Sequence, residues 1–236
     1  MDINDIVGLG KTAENTLAIT KELRGFLASI FGPLLGPATE EIGQYIADPI
    51  RIARQERLIK YAEKSQKQIA ELDAIPQAIK PKILFPIMEY STLEDDDYLQ
   101  DKWVNLLTSA AIGNYIHPSY PRILSELSPL DAKLLEVIYK SYQEEERERQ
   151  RLKELKAIAF GAGFPGHSAG MLAESLSVNL ELIEISLGNL ERLNLCSKLE
   201  INIEPEEIII GDRKSYTRYL ISPLGASFVA VVRRPT

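Results

Sequence analysis

The sequence predicts a mainly α protein: a helical N-terminal region over 1–127, then a winged-helix-like α+β region over 128–236 with a small β-hairpin. Three observations carry this. Apolar residues recur at spacings of three and four through most of the chain, the period of an amphipathic helix. β-Branched apolar runs are confined to 199–203, 207–210 and 217–221. The composition, 45% apolar and 26% charged over 236 residues, is that of a globular chain long enough to bury a core without a disulfide or metal.

Each element follows from local residues. Over 3–31, Ile3, Ile6, Val7, Ala13, Leu17, Leu23, Phe26, Leu27 and Ile30 predict an amphipathic helix, which Gly32-Pro33 and Gly36-Pro37 end. The 15 residues 25–39 carry no charge. That falls short of the roughly 18–20 residues of a spanning helix. A long helix is expected over 37–74, kinked at Asp48-Pro49. In its second half Ile52, Leu58, Ile59, Ala62 and Ile69 share one face, and Arg57, Lys60, Lys64 and Lys67 the opposite one. Pro76, Pro81 and Pro86 make 74–86 a connector with at most a short helix. Ser91-Thr92-Leu93-Glu94 reads as a capping box. The helix it opens collects Glu94 to Asp97 at its positive end and points Leu99, Trp103, Leu106, Leu107 and Ala110 inward. Another helix is expected over 121–127.

Ser128-Pro129 opens the next helix as N-cap and first helical residue. Its continuation over 144–156 is charged and expected to be solvated. A glycine-rich loop, 161–166, precedes two helices over 168–176 and 179–194, with the turn at Ser177-Val178. The β-branched runs follow, and Ser222-Pro223 caps a last helix. Three helices followed by a hairpin is the order of a winged helix-turn-helix.

The motifs carry little chemistry. Gly8 to Thr12 resembles the end of a phosphate loop, but Asp5 stands where the first glycine belongs and no strand precedes it. Gly161 to Gly166 matches G-x-G-x-x-G literally, yet follows a charged helix and contains Pro165. The lone cysteine, Cys196, and the two histidines, His117 and His167, lie at no metal-ligand spacing. Neither histidine neighbours a nucleophile in sequence, so no converging catalytic cluster is expected, although a Ser-His-Asp set can assemble in space. No cofactor, metal or catalytic residue is assigned. The N-terminus bears Asp2 and Asp5 in place of a cationic leader, and a cytoplasmic protein is expected.

Two surfaces are candidates for binding. The uncharged stretch with Phe26, Leu27, Ile30 and Phe31, beside the basic face Arg57, Lys60, Lys64 and Lys67, suits an anionic inner-membrane surface or a protein partner. The wing offers Arg213, Lys214 and Arg218. The net charge is −7, and 169–236 hold 7 lysines and arginines against 9 acids. Specific DNA binding is therefore the weaker reading; it predicts a salt-dependent gel shift lost on charge reversal of Arg213 and Lys214. A protein partner or a homo-oligomer is the stronger one.

Several stretches, in order, resemble one family. They are Gly36 to Gly43 (GPATEEIG), Ser91 to Glu94, Leu99 to Leu107 (LQDKWVNLL), His117-Pro118-Ser119-Tyr120, Ile123-Leu124 and Leu127 to Ala132 (LSPLDA). The pattern is similar to the abortive infection alpha family over 36–132, and more loosely to about 231; Val104 departs from it where a small residue is expected. The resemblance implies bacterial antiphage defence by abortive infection. It carries no catalytic motif, so it implies a role without a chemistry. Membrane disruption or sequestration of a host factor are the routes it leaves.

Overall fold

A computed structural model describes residues 21–32, 49–154, 166–202 and 215–235. The chain is mainly helical with one small antiparallel hairpin, and it divides into two compact units, 1–126 with 231–236, and 127–230.

The first unit contains α1 (Lys21–Phe31), α2 (Pro49–Glu71), α3 (Pro81–Ser91), α4 (Asp97–Ala111) and α5 (Tyr120–Ser125). The expected helix over 3–31 is described only from Lys21, and the start of the helix over 37–74 lies outside the described residues. The proline-rich connector holds over 74–80 and is corrected from Pro81, where an 11-residue helix begins. Pro81 sits in the first helical turn, where its missing N–H costs nothing, and Pro86 is held inside α3. Burial of Ile83, Leu84 and Ile87 keeps that segment helical. The capping box is also corrected. Ser91 ends α3, and Asp96 caps α4 by accepting the Leu99 N–H at 3.0 Å. Glu94 instead accepts from the backbone N–H groups of Asp95 and Asp96, each at 3.0 Å.

Trp103, Leu106, Leu84 and Leu124 are fully buried at the centre of this unit. Between α2 and α4 runs a second, polar seam. Thr108 Oγ1 donates within reach of Ser65 Oγ (3.0 Å) and Gln68 Oε1 (2.8 Å), and Gln68 Nε2 donates to Asn105 Oδ1 at 3.0 Å. Asn105 Nδ2 and Ser109 Oγ donate to the carbonyls of Val232 and Val231 at 3.1 and 2.8 Å, tying the C-terminal residues down. Ser65 and Thr108 are buried, and the seam satisfies them.

The second unit contains α6 (Pro129–Glu154), α7 (Ala169–Leu176), α8 (Leu180–Arg192), β1 (Cys196–Asn202), β2 (Ser215–Ile221) and most of α9 (Pro223–Val232). At the start of α6 the Asp131 N–H donates to Ser128 Oγ (3.1 Å) and the Ser128 N–H to Asp131 Oδ2 (2.8 Å), a reciprocal cap. β1 pairs antiparallel with β2 from Cys196 opposite Ile221 to Asn202 opposite Ser215. The run expected over 207–210 lies outside the described residues. His167 forms an antiparallel bridge to Tyr219, donating its N–H to the Tyr219 carbonyl (3.1 Å) and accepting from the Tyr219 N–H (2.8 Å). The core is Leu134, Leu135, Ile138, Leu172, Ile183, Leu187, Leu190 and Phe228. Gly225 lets α9 close on the end of α8: a Cβ there would run into the carbonyl oxygen of Leu195.

Candidate functional site

The second unit carries two features of functional interest. The first is the helix–turn–helix formed by α7 and α8. Ser168 caps α7 by accepting the Met171 N–H at 3.2 Å, and Asn179 caps α8 by accepting the Glu181 N–H at 2.9 Å. Between them Ser177 turns the chain in the left-handed region, φ 52°. The 3.6 period of α8 sends Ile183, Leu187 and Leu190 into the core. Its remaining apolar side chains face outward: Leu180, Leu182 and Ile185 are 45, 52 and 64% exposed. Glu181, Glu184 and Glu191 share that outer side with Arg192, and Gly188 leaves open space in its middle. An apolar ridge flanked by carboxylates is the result.

The second feature is a pocket of about 210 Å³ between α6, the residues before α7, and β2. Ser141 Oγ and the His167 Nε2 atom are 2.7 Å apart there. Glu145, one turn further along α6, accepts the Gly166 N–H through Oε1 at 3.4 Å and is a near charge to His167. Burial holds the His167 pKa below its ordinary 6.5, with Glu145 pulling it up and Arg218 down. The ring is therefore neutral at pH 7. A neutral imidazole against a serine hydroxyl is an arrangement for proton transfer. The two residues are 26 positions apart in sequence, so the pair assembles only in space. His117 likewise lies 2.7 Å from Ser119 Oγ, in an exposed turn.

The residues singled out from sequence fall differently. Phe26, Leu27, Ile30 and Phe31 are buried, because α1 lays this stripe against the rest of the first unit; they form core and not a surface. The basic face is partly engaged. Arg57 donates through Nη1 to the Thr92 carbonyl at 2.7 Å, and Lys64 pairs with Asp101 at 2.7 Å. Lys60 and Lys67 are exposed. Arg213 and Lys214 lie outside the described residues. Arg218 donates to the Gly166 carbonyl at 3.2 Å and touches Met171 Sδ at 3.0 Å, so it braces the start of α7. Among the described residues no helix is long and apolar enough to cross a membrane, and no three His, Cys, Asp or Glu gather as a metal site needs.

Two groups escaped the sequence reading. Ser141, Glu145 and Arg149 repeat every four residues on α6, a stripe visible in sequence, but their meeting with His167 depends on the bridge to β2. Lys102 sits at an apolar-patterned helix position and is buried over the Tyr98 ring, 4.7 Å from its centroid. Burial is the main cause lowering its pKa to about 8, with Arg233 adding to it and Asp101 opposing. Cys196 is buried and its thiol is pushed up to about 12, mainly by desolvation, so it is an inert core residue.

No curated protein and no solved structure matches the chain. The family model described as abortive infection alpha matches residues 53–232, which span α2 to α9 and both units. The chain belongs to the abortive infection alpha family.

Proposed function

We propose that this protein is a cytoplasmic antiphage defence protein that acts in abortive infection as a non-enzymatic sensor or effector, by holding a protein partner on the outer face of α8. The family name supports the defence role. The observation that carries the mode of action is the exposed ridge of Leu182 and Ile185 among Glu181, Glu184 and Glu191. The order α6, a bridge residue, α7, α8 and hairpin is the order of a winged-helix module. In such a module the second helix of the turn is the one that reads DNA. Here that helix offers carboxylates and exposed aliphatics, which repel phosphate and suit a partner with an apolar, basic surface. Membrane insertion through Phe26, Leu27, Ile30 and Phe31 is disfavoured on this reading, since all four are packed in the core of the first unit and would have to leave it.

A phage challenge tests the role. Cells expressing the protein are expected to survive at low multiplicity and to collapse before lysis is due at high multiplicity. Identical courses with and without the protein across a broad phage panel contradict it. A second reading, acyl transfer at Ser141, has the 2.7 Å contact with His167 in its favour. Labelling by a fluorophosphonate, lost in Ser141→Ala and in His167→Gln, would replace the binding reading with this one. The expected outcome is no labelling.

A further inference from the structure

The first unit contains a void that its own fold does not use. It lies between α1, α2, α3 and α4, opens to solvent, and has a cavity volume of about 30 Å³. Its walls are aliphatic and aromatic, with Ile30, Phe31, Ala62 and Leu107 among them. Two polar groups break that lining. Trp103 is 1% exposed and Ser91 0% exposed, and neither the indole N–H nor the Ser91 hydroxyl has a hydrogen-bond partner among the described residues. Buried donors in native folds are almost always satisfied, and one left unmade is destabilising. Two of them on one apolar void is the pattern of a site shaped for an acceptor. The neighbouring hydroxyl is already spent: Tyr61 donates to the Ser91 carbonyl at 3.2 Å.

We infer that this void binds a small neutral apolar molecule bearing one carbonyl, a ketone or an ester, with the carbonyl oxygen accepting from Trp103 Nε1–H or Ser91 Oγ–H. The charge of the ligand follows from the walls. No charged side chain lines the void among the described residues, so a carboxylate or phosphate entering it would be buried without a counter-ion. An alkane fills the walls and leaves both donors unanswered. A carbonyl oxygen has two lone pairs and so has acceptor capacity for both donors.

Trp103 is the single tryptophan of the chain, so its emission reports the site directly. The full chain is titrated with 2-octanone, octane and octanoate. The expected result is a saturable emission change and a raised melting temperature with 2-octanone, and at least tenfold weaker binding of the other two. Ala62→Leu, which fills the void from α2, abolishes the change. Ser91→Ala, a smaller perturbation, weakens 2-octanone several-fold and leaves octane unaltered. Two results overturn the inference. One is an absence of saturable change with 2-octanone. The other is a response to octane as strong as to the ketone, which would leave only a greasy gap in the packing.

Discussion

At the residue scale, burial sets the behaviour of three side chains, two of them titratable. His167 is lowered mainly by desolvation, so the folded state prefers the neutral ring. Its contribution is present above the ordinary pKa of 6.5 and is lost as pH falls below it. Melting temperatures at pH 7.5 and 5.5 should therefore differ more in the parent than in His167→Gln. Lys102 works in the same sense in another window. Its pKa of about 8 lies below the ordinary 10.5, so stability is gained as pH rises from below 8 toward 10. Lys102→Met should be more stable than the parent at pH 7, with the gap narrowing by pH 9.5. Trp103 is the third kind of case, buried for packing: Trp103→Ala should cost about 3–5 kcal/mol in a urea melt. Its burial was legible from the helical spacing of Leu99, Trp103, Leu106 and Leu107. The Ser141–His167 contact was not legible, because 26 residues and a strand bridge separate the pair.

At the element scale, periodicity located the helices better than the punctuation residues did. α3 exists despite Pro81 and Pro86, because a proline in the first turn is tolerated and the apolar face of Ile83, Leu84 and Ile87 outweighs one lost backbone bond. On α2, Lys60 and Lys67 of the basic stripe are exposed, while Arg57 and Lys64 are engaged with Thr92 and Asp101. Glycines separate in the same way. Gly188 lies on the outer side of α8 with nothing near a Cβ, so Gly188→Ala should raise stability by roughly 0.5–1 kcal/mol. Gly225 lies against the Leu195 carbonyl, so Gly225→Ala should cost about 1–3 kcal/mol. Chemical denaturation of the two variants side by side checks both signs.

At the scale of the whole molecule, the family match runs across both compact units. The first unit is a helical body with a polar seam and a small apolar void. The second presents an acidic, apolar helix face. The sequence showed the order of elements and the charge of that face, because both depend on residues a few positions apart. It did not show which apolar residues are core. The same stripe of Phe26, Leu27, Ile30 and Phe31 suits a membrane or a helix packing partner, and only the tertiary arrangement separates the two. If defence runs through the outer face of α8, one charge in its centre should stop it without unfolding the unit, since Ile185 is exposed. The decisive measurement is a phage challenge of cells carrying the parent or Ile185→Asp at matched protein level. The variant is expected to fold, melt like the parent, and give no protection at low multiplicity. Full protection by the variant would contradict it.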